Sequence, residues 1–261
     1  MARTVETFVV GGIVKMRKAG TGLPFTDVGL VSTYQQSHET NQLRLENTRT
    51  PLGGTFDKLD KVTSMNLAIF FREFNSTNLA NLLWADVTSV PSEAVADEVV
   101  IVQVGKTSAL AKMPLTITSV IEDTTDPEPA EFEEDTDFKM TGAGIEVLEG
   151  SALATAIGAS SDYKVKVSYT CAAYDEIQAL TNSGEEWEIL FEGANAVGTK
   201  SRVNNRYYRC KFGVAESLDW ISVEDFMGMQ STCEVLADDT RIGAGLSQYM
   251  KIQKETPIPA P

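Results

Sequence analysis

The sequence predicts a mainly β protein, and three observations support this prediction. Apolar and polar residues alternate with a period of two in several segments, as in strands with one buried face. Turn signals rich in Gly and Pro separate these segments. Only one segment has the spacing of an amphipathic helix. A chain of 261 residues with 43% hydrophobic residues can bury a substantial core, in one large domain or two smaller ones.

The alternation is clearest in four segments, which are therefore predicted strands: Val62–Phe71, Tyr163–Tyr169, Trp187–Phe191 and Tyr208–Val214. In the first of them, Met65, Leu67 and Ile69 would face a core, while Ser64 and Asn66 would face water. Each of these strands has one wet face, which is typical of antiparallel sheets with a solvated side.

A short amphipathic helix is predicted at Asn75–Ala85. The polar run Asn75–Asn78 supplies side chains that can cap a helix N-terminus. Leu79, Leu82 and Leu83 then follow at helical spacing, so they would form one apolar face.

The middle of the chain differs in composition from its flanks. Residues 122–137 contain nine acidic residues and no basic one, and Pro127 and Pro129 stiffen the run. We interpret this run as a solvated loop, because a calcium-binding EF-hand loop would need a turn-forming Gly that is missing here. Short predicted strands surround the run: Val99–Val104, Leu115–Val120, Gly144–Leu148 and Tyr163–Tyr169. The predicted organisation is an inserted β domain at 91–169 between the halves of a main domain, 1–90 and 170–261.

The charge balance excludes proteins that grip nucleic acid through phosphate. The 22 basic and 37 acidic residues give a formal net charge of −15, whereas phosphate binding requires a basic surface. A surface that nucleic acid passes without binding remains possible. No apolar run approaches the roughly 20 residues that a membrane-spanning helix needs.

No catalytic, cofactor-binding or metal-binding residues are predicted. His38 is the single histidine, so neither a His-based triad nor a His-rich metal cluster can form. Cys171, Cys210 and Cys233 are widely separated, which favours reduced thiols over a disulfide framework or a metal site. Glycosidases, which need only two carboxylates, are the one enzyme class that the composition leaves open.

The order of predicted elements resembles that of the major tail tube proteins of tailed bacteriophages. A strand at Gln42–Arg49, a loop at Thr50–Asp60, a strand at Lys61–Phe71 and the helix come first, and strands follow the insert at Trp187–Gly193, Arg206–Lys211 and Met229–Ala237. The stretches that carry the resemblance are Leu45–Arg49, Met65–Ile69, Asn78–Trp84, Trp187–Gly193, Glu234–Thr240 and Gly243–Tyr249.

This resemblance implies a tail-tube β-sandwich with one short helix that assembles into hexameric rings. The inner strands of such a ring close into a β-barrel, and stacked rings form the tube that conducts the tape measure protein and double-stranded DNA. Further partners would be the tail terminator and the distal tail or baseplate proteins. The protein would be located in the virion after assembly in the host cytoplasm, without a cofactor, an enzymatic activity or a membrane partner.

Tail tube proteins without an insert exist in this family, so the segment 91–169 is expected on the outside of the tube. An exterior domain argues for a non-contractile tail, in which no sheath surrounds the tube. The acidic composition agrees with the resemblance, because an acidic pore wall repels phosphate and lets DNA slide.

Two sets of residues are predicted to act in the tube. Polar positions of the two paired strands are expected to line the lumen, namely Gln42, Arg44, Glu46, Ser64, Asn66 and Ala68. The loop Arg49–Lys61 is longer than most hairpin loops and mixes charges with Phe56 and Leu59, so these two side chains are predicted to contact the next ring. The alternative from another class is a monomeric module of two β-sandwiches that binds a partner through the acidic loop.

Overall fold

A computed structural model describes residues 7–197, 201–218, 220–224 and 226–256. The chain divides into two compact units. The first unit consists of Met1–Val87 together with Ile177–Pro261, and the second consists of Thr88–Glu176. The second unit includes the predicted insert and extends past both of its predicted ends, Pro91 and Tyr169.

Strands dominate both units, as the alternation predicts. The 18 strands of the described residues are β1 (Val10–Lys18), β2 (Thr26–Asp27), β3 (Val31–Glu46), β4 (Thr55–Phe71), β5 (Asp86–Val90), β6 (Ala94–Ile101), β7 (Thr107–Ala109), β8 (Pro114–Glu122), β9 (Glu131–Phe132), β10 (Phe138–Met140), β11 (Gly144–Val147), β12 (Lys164–Cys171), β13 (Tyr174–Gln178), β14 (Glu186–Asn195), β15 (Arg202–Phe212), β16 (Ser217–Leu218), β17 (Met229–Val235) and β18 (Met250–Lys254). The two helices there are α1 (Ser76–Leu83) and α2 (Ala152–Ile157).

The first unit contains one antiparallel sheet of nine strands. Its main order is β2-β1-β14-β15-β17-β4-β3, with β16 paired to β17 and β18 paired to β15. Strand β15 changes partner along one edge, from β18 over Val203–Tyr207 to β17 over Cys210–Phe212. The mainly β architecture is confirmed and is consistent with a β-sandwich, and the described residues of one chain form no closed barrel.

The core of the first unit follows the predicted alternation. Leu67, Ile69 and Phe71 of β4 are buried, and they pack in one cluster with Phe212 and Cys233 from β15 and β17. Burial of each such side chain contributes roughly 1.5–3 kcal/mol. The predicted inward direction of Leu67 and Ile69 is therefore confirmed.

The predicted helix is also confirmed, as α1. The side chain of Asn75 accepts a hydrogen bond from the backbone N–H of Asn78 at 2.7 Å, so it caps the helix as expected. Leu82 is buried in the core cluster. The helix ends at Trp84, whose left-handed backbone terminates it and whose indole N–H donates to the carbonyl of Phe212 at 3.1 Å.

The second unit has a four-stranded sheet, β6-β12-β8-β9, and a three-stranded sheet, β10-β11-β7. Both contribute to one core, in which Val167 and Tyr169 of β12 pack with Ile145 of β11. The strands β5 and β13, which carry the chain into and out of the unit, pair with each other.

Two expectations about the insert need correction. The insert was predicted to contain only strands, but helix α2 also forms there, capped by the side chain of Ser151. The acidic run is not simply a solvated loop. Asp137 is buried and accepts the backbone N–H of Ala152 at 2.9 Å, and Asp123 pairs with Lys166 at 3.1 Å. Two of its acids therefore have structural roles.

Neither helix of the described residues is long and apolar enough to cross a bilayer.

Candidate assembly surfaces

Strands β3 and β4 form a hairpin of unusual length. They contain 16 and 17 residues and pair from Val31 opposite Phe71 to Glu46 opposite Thr55. The loop between them is only residues 47–54, so the predicted loop Thr50–Asp60 is wrong in its bounds. Gly53 and Gly54 have positive φ angles, which only glycine adopts without strain, and they allow the chain to reverse there.

The distal part of this hairpin, residues 40–62, pairs with no further strand among the described residues and is called the arm below. Strand β17 pairs with β4 only from Asn66 to Phe71. Consequently Leu43, Leu45 and Leu59 are 54%, 59% and 61% exposed although they lie on regular strands. An isolated two-stranded hairpin is marginally stable in water, so the arm depends on the rest of the sheet or on a partner.

The two faces of the arm differ in polarity. Leu43 pairs directly opposite Leu59, and Leu45 follows two residues along the same face. On the other face Arg44 lies opposite Lys58, and Lys58 pairs with Asp60 at 2.9 Å. The arm therefore exposes three leucines on one face, beside Asp57, which lies opposite Leu45, and no described residue of the chain covers these leucines.

The arm also differs from the rest of the chain in charge. It contains four basic and three acidic residues, a net of +1, whereas the whole chain carries −15. These charged residues are Arg44, Arg49, Lys58 and Lys61 against Glu46, Asp57 and Asp60. A weakly basic element on a strongly acidic protein is suited to contact an acidic surface, including one on another copy of the chain.

The register separates the residues that were predicted to share a lumen face. Between Glu39–Ser64 and Thr40–Val62 the ladder contains one extra residue on β4, Thr63, which forms a β-bulge. Because β3 has no extra residue there, its alternation continues unbroken. Gln42 and Arg44 therefore lie on the opposite face of the hairpin from Ser64, Asn66 and Ala68, which face Glu39, Ser37 and Gln35. Glu46 lies beyond a second register shift, opposite Thr55.

Ser64, Asn66 and Ala68 instead belong to a polar sheet face that crosses five strands. The residues directly opposite one another along one row of this face are Ser37, Asn66, Glu234, Lys211 and Glu186. Directly opposed side chains share a face. We call this surface the polar face. Sequence reasoning missed Ser37, Glu234, Lys211 and Glu186, because strand order cannot be read from alternation alone.

Basic side chains on the polar face have acidic neighbours. The guanidinium of Arg209 forms two hydrogen bonds to Glu186, at 2.5 and 2.8 Å. The hydrogen bond from Arg209 lowers the pKa of the Glu186 carboxyl, and the same contact raises the pKa of Arg209. Lys211 lies directly opposite both Glu186 and Glu234. A phosphate near this face would have to compete with these carboxylates.

Strand β3 forms an edge of the nine-stranded sheet. On its outer side, backbone groups along the 16 residues have no strand partner among the described residues. Long unprotected edges of this kind template pairing with another chain. The sequence signal was weak, because Ser32–Gln42 is mostly polar and lacks the apolar alternation used to identify strands.

The structure also locates the other residues that the sequence analysis singled out. Phe56 and Leu59 lie on β4 and are each 61% exposed, so neither folds back on its own unit. His38 lies on β3, and its Nε2 is 2.8 Å from Nε2 of Gln36. Cys171, Cys210 and Cys233 are free and buried. The described residues contain no group of three or more potential ligand side chains arranged to hold a metal ion.

Fold and surfaces together define a mainly β protein that presents a long hairpin with exposed leucines, a polar sheet face and an open sheet edge. A family model described as "Protein of unknown function UCP028589" matches residues 7–253, and the chain belongs to that family. The comparison with curated proteins found no match.

Proposed function

We propose that this protein is the structural subunit of a bacteriophage tail tube. Hexameric rings of the chain would stack into the conduit for the tape measure protein and then for genomic DNA. The observation that carries the proposal is the arm, whose side chains Leu43, Leu45 and Leu59 remain exposed after the chain has folded. Exposed apolar surface of this kind marks a site of association, and the sequence resemblance to tail tube proteins suggests further copies of the chain as the partners.

The open edge of β3 supports assembly into rings. A strand of the neighbouring subunit would satisfy the backbone groups along β3, as in strand addition between proteins. The same contact repeated around a rotation axis closes into a ring and leaves no edge exposed.

The polar face supports the passage of DNA. We assign Ser64, Asn66 and Ala68, with Ser37 and Glu234, to the lumen. The wall would contain few cations free to neutralise phosphate, so DNA would not be held by counterion release. Gln42 and Arg44 are removed from the predicted lumen residues, because Ser64 pairs opposite Glu39 and the alternation along β3 puts residues 42 and 44 on the other face.

Sizing and negative-stain microscopy of the purified full chain test the proposal. We expect rings or tubes. A stable monomer would contradict the proposal and favour the binding module. The double substitution Phe56→Ser and Leu59→Ser should leave the subunit folded and abolish polymerisation. Leu115→Ser, at a 54% exposed leucine of the second unit, is the matched control and should polymerise normally.

The lumen assignment has its own test. Asn66→Lys should assemble into normal tubes, because the side chain is only partly buried and lies on the polar face. Tubes of this variant should retain labelled double-stranded DNA at low salt and release it at high salt, whereas wild-type tubes should not retain it. Equal retention by both tubes would place Asn66 outside the lumen.

The second unit is proposed to lie outside the tube wall. Since β5 and β13 pair where the chain enters and leaves it, a short Gly/Ser linker can replace Thr88–Glu176. The shortened protein should still form tubes, with a smaller outer diameter. If its remaining unit is folded but does not assemble, the second unit belongs to the tube wall.

A further inference from the structure

We infer that the loop 219–228, between β16 and β17, is the surface that receives the arm of the subunit in the next ring. Rings would then join head to tail, with the arm of one ring on this loop of the other. This inference rests on the proposed function, because it names the partner surface for contacts between stacked rings.

The arm and the loop lie at opposite ends of the same strand. The loop begins after Leu218 and ends before Met229, and these residues pair with each other while Met229 also pairs with Phe71, the last residue of β4. The arm turn precedes Thr55, the first residue of β4. The 17 residues of β4 span about 50 Å at about 3.3 Å per residue. The first unit therefore has one candidate contact surface at each end.

Both surfaces are apolar and exposed. In the loop, Trp220, Ile221 and Val223 are 70%, 85% and 91% exposed. At the arm turn, Leu52 is 98% exposed and Phe56 follows on β4. Apolar clusters of this size that include a tryptophan are typical of interface centres.

One end of the loop is held by the body of the unit. The guanidinium of Arg72, the residue after β4, donates to the backbone carbonyl of Phe226 at 2.6 Å and stacks over the ring of Phe70 at 4.6 Å. The segment that carries the exposed side chains of Trp220 and Ile221 is therefore attached to the body of the unit. A partly ordered surface loses less conformational entropy on binding than a free chain.

The charges of the two surfaces are complementary. In the loop, Glu224 is exposed, and no basic residue stands in the sequence between Leu218 and Met229. The arm carries a net charge of +1, and Arg49 is exposed at its turn. Two arms would not attract each other, and two acidic loops would repel each other, so charge favours the arm with the loop over either self-contact.

A contact between two different surfaces at opposite ends of a subunit does not close on itself along that direction. Repetition of such a heterologous contact gives an open polymer instead of a dimer. A tube made of stacked rings requires this polarity.

Mixing two blocked variants tests the inference. The arm variant carries Leu52→Ser and Phe56→Ser, and the loop variant carries Trp220→Ser and Ile221→Ser. Each variant alone should form rings but no tubes. An equimolar mixture should give paired rings of doubled mass in analytical ultracentrifugation, because one intact arm surface meets one intact loop surface. Single rings in the mixture, or tubes from the loop variant alone, would overturn the inference.

The control variant carries Ile242→Ser and Leu246→Ser, two residues that are 85% and 62% exposed outside both surfaces. It should form tubes like the wild type. Wild-type protein that stays monomeric would contradict the proposed function itself. If the wild type forms tubes and the loop variant forms them equally well, only the pairing of the arm with the loop is contradicted.

A charge reversal tests the pairing at single residues. Arg49→Glu and Glu224→Arg should each raise the critical concentration for polymerisation about tenfold at low salt, through like-charge contacts. The double reversal should return it to near the wild-type value. Raised salt should reduce all of these differences by screening. If the double reversal raises the critical concentration by as much as the two single reversals combined, the pairing of these two residues is wrong.

Discussion

The two halves of the β3–β4 hairpin obey the same strand geometry but differ in their surroundings. Near the body of the unit, Leu67 and Ile69 are buried, because they pack in a core cluster that includes Leu82 of α1. In the arm, Leu43 and Leu59 face each other across the same ladder and remain more than half exposed. Alternation decides which side chains share a face, whereas the neighbouring elements decide whether that face is buried.

This difference separates residues that stabilise one chain from residues that are available to join chains. Substitutions in the body should lower the free energy of unfolding and impair assembly only through misfolding. Substitutions in the arm should leave the free energy of unfolding unchanged and impair assembly directly. Matched pairs of variants from the two halves test this distinction.

The largest expected contrast is between two ion-paired carboxylates. Glu188 in the body is 6% exposed and lies between Arg17, at 2.6 Å, and Arg206. Glu188→Ala should cost about 4 kcal/mol of unfolding free energy, because it leaves two partly buried guanidinium groups without their carboxylate. Asp60 in the arm is 51% exposed, and Asp60→Ala should cost less than about 1 kcal/mol.

Urea unfolding of the two variants at neutral pH measures this contrast. Equal losses of stability would show that the arm contributes to the stability of the single chain, and the distinction between the halves would then be wrong.

The second contrast is between two leucines of β4. Leu67→Ala removes a fully buried side chain and should cost about 3 kcal/mol. Leu59→Ala should change the unfolding free energy by no more than about 0.5 kcal/mol, because the side chain is exposed. Sedimentation of the folded proteins should show the reverse order, with weaker polymerisation for Leu59→Ala. A folded Leu59→Ala variant that polymerises normally would remove Leu59 from the contact surface.

The smallest expected effect concerns the polar face, where exposure is intermediate. The hydrogen bond from Arg209 lowers the pKa of Glu186 in the folded state. A carboxyl with a lowered folded pKa stabilises the fold above its unfolded pKa of about 4.3 and loses this contribution as the pH falls. Between about pH 5 and 3, the melting temperature of wild type should therefore fall more steeply than that of Glu186→Gln. Identical slopes would show that this ion pair adds nothing to stability.

Several features of the fold could be predicted from local sequence. The direction of Leu67 and Ile69 followed from alternation along one strand, which depends only on backbone geometry. The start of α1 followed from the capping side chain of Asn75. Helix α2 was missed because its six residues contain too few turns for a periodic pattern.

The candidate surfaces were harder to predict. The segment 55–61 was expected in a loop because glycines precede it and charges fill it, yet it forms a strand paired with β3. The pairing register has no sequence signal of its own, and because it sets Ser64 opposite Glu39 it separates Gln42 and Arg44 from the face of Ser64. The burial of Asp137 depends on the backbone N–H groups of α2, which is distant in sequence.

Local sequence is enough to set the mainly β class, the faces of individual strands and the acidic charge, because these depend on composition and on period-two geometry within each strand. The tertiary structure alone decided which strands became neighbours, and therefore which regular faces were buried and which stayed exposed. Strand order, the β3 edge and the positions of the arm and the loop 219–228 at opposite ends of β4 result from long-range pairing, which no local pattern encodes.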